Sequence, residues 1–246
     1  MRDYQKEFEN RVQFIQDLLK KSGAKGIVYG NSGGKDSALV GILCKAACDN
    51  TVGIMMPCSV SRNFEIDMAD GLAVAEQFHI EHRCINLSDT RDALTSALQE
   101  VTGELKPASL NNIAPRLRMT TLYAIAANEG RLVAGTGNRS EAYVGYFTKW
   151  GDGAHDFNPI SDLTVTEIFE FLRFLNAPES IITKAPSAGL AEGQTDEGEM
   201  GLTYAELDAY ISGGTVAPEK AAKIDGMHKA SQHKRDSIVQ YCPLSE

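Results

Sequence analysis

The sequence has no long hydrophobic run. None of its apolar stretches approaches the roughly 18 consecutive residues that a membrane-spanning helix needs. Residues 1–5 are polar and lack the apolar core of a secretory signal. The 246 residues, 43% of them hydrophobic, suffice for one sizeable globular domain. We therefore predict a protein without a membrane partner.

Cysteine is scarce and follows no pattern. The five cysteines are Cys44, Cys48, Cys58, Cys84 and Cys242. An odd, irregular set argues against a disulfide framework and predicts reduced thiols in a cytoplasmic protein. Cys44 and Cys48 share one helical face, but no second pair follows that would complete a zinc site. We interpret both as core residues.

Positive charge is also in short supply. Lysine and arginine number 24 against 33 acidic residues, which gives a net charge of −9. A nucleic-acid-binding surface needs a basic stripe, so this balance argues against nucleic acid as a partner. The charge balance does not exclude an anionic small molecule as a ligand. A local pocket of N–H groups and cations outweighs the field of distant acidic residues, which salt screens.

Two common phosphate-binding motifs are absent, and a different glycine-rich loop is present at 30–37. It reads Gly-Asn-Ser-Gly-Gly-Lys-Asp-Ser. The segment does not match a Walker A motif, because Lys35 is followed by Asp36. It does not match a dinucleotide-binding fingerprint either, because it lacks a third glycine at the required position. Residues 27–29 before the loop predict a buried strand, and helical apolar spacing follows from Leu39 onward. Strand, glycine turn and helix together direct free N–H groups at an anion.

The side chains of the 30–37 loop indicate which anion it binds. Gly33 and Gly34 let phosphate oxygens approach the backbone, and Ser32 and Ser37 add hydroxyl donors. Asp36 would repel a phosphate unless a cation lies between them. Mg²⁺ is the cation that suits such oxygen ligands. A turn that merely connects a strand to a helix would leave the aspartate and both hydroxyls unexplained.

Strands and helices alternate through the first half of the chain. We predict strands at about 26–29, 52–56, 82–87 and 132–134, with helices between them. The fold class is therefore α/β, a doubly wound parallel sheet with flanking helices, followed by a helical C-terminal part. Two capping boxes, Thr164-x-x-Glu167 and Thr203-x-x-Glu206, begin helices there. The glycine-rich, acidic stretch 184–200 predicts a lid that becomes ordered when the substrate binds.

The 30–37 loop resembles the pyrophosphate loop of the N-type ATP pyrophosphatases, whose fold is that of the adenine nucleotide alpha hydrolases. Further segments narrow the resemblance: 112–119, 135–141, 145–153, 156–159, 184–188, 194–197 and 233–235. Together they are similar to the ammonia-dependent NAD⁺ synthetases over nearly the whole chain. The resemblance implies one synthetase domain over 1–246, with no glutaminase domain. It also implies a homodimer with the substrate site at its interface.

The implied reaction joins deamido-NAD⁺ and ammonia at the expense of ATP, through an adenylated intermediate, and releases NAD⁺, AMP and diphosphate. The matching positions would bind ATP through Gly30, Asn31, Ser32, Gly33, Gly34, Lys35, Asp36, Ser37, Thr136 and Ser187. Deamido-NAD⁺ would be bound by Arg116, Lys149, Asp156, His233 and Lys234. Asp36 and Glu141 would be Mg²⁺ ligands, and Asp152 would hold ammonium and accept its proton.

Several of these assignments have plainer alternatives. Glu141 can be a first-turn helix acid favoured by the helix dipole, and Asp152 can be a turn residue in Gly-Asp-Gly. Arg116 can be an exposed helix charge, and residues 228–229 offer a competing His-Lys register. The family often has a phosphate-contacting lysine where this chain has Val165, so Lys35 is our hypothesis for a replacement charge.

Two other functions compete with the synthetase. One is another adenylating amidotransferase or thiolase of the same superfamily. The other is a nucleotide-binding regulatory module without chemistry, which would not need Glu141, Asp152 and the 184–200 stretch together. Formation of AMP separates the enzymes from the module, and dependence on deamido-NAD⁺ separates the two enzymes.

Overall fold

A computed structural model describes residues 2–58, 63–184 and 195–241, with backbone only at 63 and 64. Within these ranges the chain forms one sheet of four parallel strands in the order β3-β2-β1-β4. The strands are β1 (Gly26–Gly30), β2 (Thr51–Met55), β3 (Glu81–Cys84) and β4 (Arg131–Ala134). The parallel sheet confirms the predicted fold class, although β3 ends three residues before the predicted boundary.

Strand β1 lies between two helical layers and carries apolar side chains on both of its faces. In β1, Ile27 and Tyr29 point into one buried cluster and Val28 points into the other, as the two-residue period of a strand requires. All three side chains are fully buried. A continuous apolar run is the expected signature of a parallel strand covered on both sides.

Helices cover both faces of the sheet. Those of the first half are α1 (Tyr4–Ser22), α2 (Lys35–Ala47), α3 (Met68–Gln77), α4 (Ser88–Thr102), α5 (Pro107–Asn111) and α6 (Ile113–Glu129). A π-helical turn, Asn63–Asp67, precedes α3, so the helical segment between β2 and β3 is irregular at its start. Helix α6 begins at Ile113 and leads directly into β4.

The second half is helical, as predicted. Its elements are α7 (Arg139–Val144), α8 (Val165–Phe174), α9 (Glu179–Ile182), α10 (Asp196–Met200), α11 (Tyr204–Ile211), α12 (Pro218–Ala230) and a 3₁₀ turn (Gln232–Lys234). Both predicted capping boxes are present, at the starts of α8 and α11. Apolar residues of α7, α8, α11 and α12 pack into a third core cluster.

The order of the strands fixes where a ligand can bind. The chain runs from β1 outward to β2 and β3, then returns to the other side of β1 with β4. The loops after β1 and β4 therefore diverge, and the crevice between them lies beyond the carboxyl ends of the strands. The 30–37 loop and the 135–137 turn both lie at this crevice.

Three predictions fall wholly or partly outside the described residues. Ser187 and Cys242 lie outside them, as does most of the 184–200 stretch. Cys44 is fully buried in the core, as predicted, whereas Cys48 is only partly buried against it. Cys44, Cys48, Cys58 and Cys84 are free thiols. Among the described helices, none is long and apolar enough to cross a membrane.

Candidate active site

The 30–37 loop delivers the start of α2 to the crevice. Gly34 precedes the helix and, as a glycine, has no side chain to cap the first N–H groups, which remain for a ligand. The hydroxyls of Ser32 and Ser37 lie 3.1 Å apart beside them. The positive end of the α2 dipole and the two hydroxyls together form an anion-binding surface.

The back of this loop rests against the segment that leads into α3. Gly33 has a left-handed φ of 69°, and a Cβ there would lie 2.0 Å from the carbonyl oxygen of Asp67. The Asn31 side chain is buried and donates to the Gly71 carbonyl at 2.9 Å. Gly33 is thus required both by its left-handed backbone conformation and by the close approach of the Asp67 carbonyl.

A cavity of about 470 Å³ opens in front of the loop. Most of the predicted ATP-binding and catalytic residues line it. From the sequence-predicted set, the cavity wall contains Gly30, Asn31, Ser32, Gly34, Lys35, Asp36, Ser37, Thr136, Glu141, Asp152 and Lys234. Gly33, Arg116, Lys149, Asp156 and His233 do not line it.

Two carboxylates, Asp36 and Glu141, come together at the cavity wall. Asn138 connects them: its side-chain Nδ2 donates to Asp36 Oδ1 at 3.0 Å, and its backbone N–H donates to Glu141 Oε2 at 3.1 Å. Burial, and then the neighbouring Asp36 carboxylate, raise the pKa of Glu141 well above its usual range. This pair is therefore short of positive charge.

Glu141 fits its plainer predicted explanation and also faces the cavity. It closes a capping box with Asn138 at the start of α7, so it is a first-turn helix acid. It also faces the cavity beside Asp36. The described residues contain no group of three or more His, Cys, Asp or Glu side chains arranged to hold a metal. Two carboxylates suit Mg²⁺, which usually keeps several waters and takes phosphate oxygens as further ligands.

Lys35 supplies one positive charge to this pair. Its Nζ lies 2.8 Å from Asp36 Oδ2, and the side chain is only 6% exposed. Burial alone would lower the pKa of Lys35, but the Asp36 and Glu141 carboxylates raise it above its ordinary value. The ammonium also lies 5.4 Å from the ring centre of Tyr204, which donates to Asp196 at 2.9 Å.

Asp152 occupies another part of the cavity wall. Its Oδ1 accepts the Thr148 N–H at 3.0 Å, so the residue does close a turn, as its plainer alternative holds. The carboxylate nevertheless opens to the cavity. Protein on its other sides desolvates it and raises its pKa above the ordinary value. An aspartate with a raised pKa binds a proton more readily than a solvated one.

Two cationic side chains flank Asp152. Lys234 Nζ donates to the carbonyls of Gly145 and Phe147 at 2.7 and 2.6 Å, and burial lowers its pKa. Arg118 lines the same wall and donates from Nε to the Met56 carbonyl at 3.1 Å. Arg118 lies in the 112–119 segment of the family resemblance, but the sequence predicted no role for it. The signal that could have identified Arg118 is its spacing. Residues two positions apart on a helix lie on different faces, so Arg118 points away from Arg116.

Three predicted deamido-NAD⁺ residues form a chain of contacts away from the cavity wall. Arg116 Nη2 donates to the Lys149 carbonyl at 3.2 Å, and Lys149 Nζ donates to the His233 carbonyl. We call Arg116, Lys149 and His233 the rim cluster. Asp156 lies elsewhere: its Oδ2 accepts the Val133 N–H at 2.8 Å, beside Tyr123. The structure thus brings three of the five residues together.

Val165 is accounted for by packing. It is 2% exposed and belongs to the third core cluster, with Val144 and Leu207. Its backbone N–H donates to Ser140 Oγ at 3.2 Å. The side chain at this position therefore contributes to the core in this chain.

Known proteins closely resemble this chain in sequence and in structure. The family model described as NAD synthase matches residues 7–238. The NH(3)-dependent NAD(+) synthetase of Carboxydothermus hydrogenoformans is 46% identical over 95% of this chain and 96% of the relative. An NMN synthetase from Francisella tularensis superposes with a TM-score of 0.92 at 36% identity, over 98% of this chain and 99% of that one.

A second solved structure points the same way. The NH3-dependent NAD synthetase from Campylobacter jejuni, in complex with the nitrate ion, superposes with a TM-score of 0.80 at 31% identity. The alignment covers 98% of this chain and 100% of that one. Sequence, fold and the resemblance of the crevice motifs agree, and the chain belongs to the NAD synthase family.

Proposed function

We propose that this chain catalyses the ATP-dependent amidation of deamido-NAD⁺ with ammonia and forms NAD⁺, AMP and diphosphate. The reaction makes a C–N bond, so the enzyme is a ligase. The observation that carries the proposal is one cavity in which the 30–37 loop, Thr136, the Asp36–Glu141 pair and Asp152 meet. The relatives described as NH3-dependent NAD synthetases give no support to another amidotransferase or a thiolase.

The chemistry explains why these groups are needed together. A carboxylate is a poor electrophile, so its oxygen first attacks the α-phosphorus of ATP and diphosphate leaves. Ammonia then attacks the activated carbonyl, AMP leaves, and a proton comes off the nitrogen. The first N–H groups of α2 and the Ser32 and Ser37 hydroxyls orient the phosphates. Asp152 takes the proton.

Mg²⁺ is the cofactor that we propose for this site. Asp36 and Glu141 would hold it, and when bound it would neutralise charge on the triphosphate. The high pKa of Glu141 beside Asp36 supports this assignment, because a divalent cation relieves the repulsion of the pair. Lys35 lines the cavity and remains our hypothesis for the charge that a lysine at position 165 would supply.

The assay that tests the function measures NAD⁺ and AMP from ATP, Mg²⁺, ammonium and deamido-NAD⁺. An Asp36→Ala variant is the control. Equal amounts of NAD⁺ and AMP, lost in the control, are expected. No NAD⁺ from folded wild-type protein that still binds ATP would contradict the substrate assignment.

A second acceptor deserves a parallel assay because of one observation. The TM-score with the Francisella tularensis NMN synthetase, 0.92, exceeds the 0.80 found with the Campylobacter jejuni NAD synthetase. The mononucleotide carboxylate that would yield NMN carries the same reacting group without the adenylate half. We propose deamido-NAD⁺ as the better substrate, with a higher kcat/KM in a side-by-side comparison. A reversed ratio would establish the mononucleotide activity.

We also propose a homodimer with the dinucleotide site near its interface. All of α4 is described, and none of its residues is buried. Leu94, Leu98 and Val101 on this helix are 39%, 36% and 85% exposed, which favours a second copy as the covering partner. Sedimentation of wild type and a Val101→Asp variant tests this: wild type should sediment as a dimer and the variant as a monomer.

Two further proposals concern context. The chain acts as a single synthetase domain, which agrees with a family match that spans 7–238. The reaction takes place in the cytoplasm, which agrees with four thiols that remain free. Limited proteolysis and cell fractionation test them.

A further inference from the structure

We propose that Lys184 is a positioning residue for ATP. Its ammonium holds the 30–37 loop in shape by joining the Gly33 carbonyl to Asp67 and Asp70 at the start of α3. The inference rests on the proposed function, because ATP is the ligand of this loop. Lys184 had no role in the sequence-based assignment beyond its place in a motif.

Three contacts converge on the Lys184 ammonium. It lies 2.8 Å from Asp67 Oδ1 and 2.6 Å from Asp70 Oδ2, and it donates to the Gly33 carbonyl at 3.1 Å. The three charged side chains are only 11–14% exposed. Charge-assisted hydrogen bonds in such shielded positions are stronger than neutral ones, so this is a firm attachment.

The Gly33 contact controls a donor of the loop. The Gly33 carbonyl and the Gly34 N–H belong to one planar peptide and point in opposite directions. Holding the carbonyl toward Lys184 therefore fixes the N–H, which points to Ser32 Oγ at 3.3 Å. Gly34 itself lies in the cavity wall. Lys184 thus fixes the Gly33–Gly34 peptide, and with it the contact between the Gly34 N–H and the Ser32 hydroxyl beside the proposed phosphate site.

A glycine pair needs such an attachment more than other residues do. Gly33 and Gly34 have wide conformational freedom, and a loop that reorders on binding loses affinity. The close packing of Gly33 on the Asp67 carbonyl restricts the loop from one side. Lys184 ties the same glycine to the Asp67 side chain, so the backbone and side-chain restraints act together.

The test compares Lys184→Met, Lys184→Arg and Asp70→Asn with wild type. Lys220→Met is the matched control, since Lys220 also joins a carboxylate, Glu206 at 3.3 Å, to a glycine carbonyl, Gly201 at 3.2 Å, away from the cavity wall. Calorimetric titration with ATP and Mg²⁺ gives the Kd without turnover. Steady-state assays give KM for each substrate, and thermal unfolding gives Tm.

The expected result is a Kd and KM for ATP raised about 10-fold or more in Lys184→Met, the equivalent of losing one charge-assisted bond. The KM for deamido-NAD⁺ should stay within twofold. Lys184→Arg should keep most of the affinity, and Lys220→Met all of it. Asp70→Asn should also weaken ATP binding, although removal of a negative charge near the loop would by charge alone strengthen it.

Two outcomes would overturn the inference. One is an unchanged Kd for ATP in folded Lys184→Met protein, with only Tm reduced, which would make the lysine purely structural. The other is tighter ATP binding in Asp70→Asn, which would make the contacts a competitor of the ligand. Failure of the proposed function is distinct from both, since wild type would then form no NAD⁺ whatever the ATP titrations show.

Discussion

Helix α7 carries two neighbouring residues that serve two very different acidic clusters. Glu141 faces the cavity with Asp36, where two carboxylates share Lys35 and Asn138. Ser140 faces inward and donates to Asp208, which also accepts the Thr166 N–H at 2.8 Å and the Thr166 hydroxyl at 2.7 Å. Both clusters are acidic and largely shielded from water.

The difference lies in how each carboxylate is satisfied. Asp208 has fixed N–H and O–H donors from α7 and α8, so its charge binds three segments of the fold together. Asp36 and Glu141 lie together at the wall of an open cavity and repel one another, and burial and this repulsion raise the pKa of Glu141. A carboxylate with complete donors stabilises the fold, whereas two carboxylates that share the single charge of Lys35 are suited to a further cationic ligand.

The largest effect should come from Asp36→Asn. Under the proposed function, loss of this carboxylate removes a Mg²⁺ ligand, and we expect kcat/KM to fall by about 10³-fold or more, the scale of several kcal/mol of charge stabilisation. The fold should persist, with a smaller loss of Tm than Asp208→Ala causes. Coupled NAD⁺ assays and thermal unfolding measure the two quantities. Activity above a tenth of wild type would remove Asp36 from the centre of the site.

Asp208→Ala should show the opposite pattern. The change leaves the Ser140 hydroxyl and both Thr166 donors without their acceptor in the core, and we expect about 3 kcal/mol of lost stability. For each folded molecule, activity should stay within threefold of wild type. Urea unfolding with parallel assays below the transition tests this. A variant of normal stability and poor activity would place Asp208 in the catalytic region and break the contrast.

Asp152→Asn should lower kcat about 100-fold, the usual contribution of a general base. The pH dependence follows from the direction of the pKa. Burial raises the pKa of Asp152, and only the deprotonated form accepts a proton, so activity should fall as the pH drops through that raised value. The acidic limb of the wild-type kcat profile should therefore lie above the ordinary aspartate range and vanish in Asp152→Asn. An identical limb in the variant would assign it to another group.

Much of this contrast could be predicted from sequence. The 30–37 loop and the strand positions followed from short-range patterns, because glycine conformation and apolar periodicity act over a few residues. The capping box at Thr164 was readable for the same reason. The Asn138–Glu141 capping box was not predicted. A glutamate at this position can close a helix cap or bind a metal, and the sequence pattern does not distinguish the two.

Long-range contacts could not be predicted in this way. Asp208 meets Ser140 across 68 positions, and Lys184 meets Gly33 across 151. No local pattern marks a side chain that is buried by a distant helix. Val165 shows the same limit: the family resemblance identified the missing lysine, whereas only the packed third cluster explains the valine.

The smallest effect should come from the rim cluster, which extends the comparison to exposed groups. Arg116 is solvent-exposed and outside the cavity wall, so under the proposed function we expect it to contribute to binding rather than to chemistry. We expect Arg116→Ala to raise the KM for deamido-NAD⁺ about 10-fold, with kcat and the KM for ATP near wild type, as loss of uniform binding requires. Steady-state kinetics with each substrate varied in turn measures this. Arg118→Ala is the informative partner, because Arg118 lies two positions away in the wall itself. If Arg118→Ala alone raises the dinucleotide KM, the substrate contact belongs to the inner arginine, and the rim cluster serves only to join α6 to the C-terminal turn.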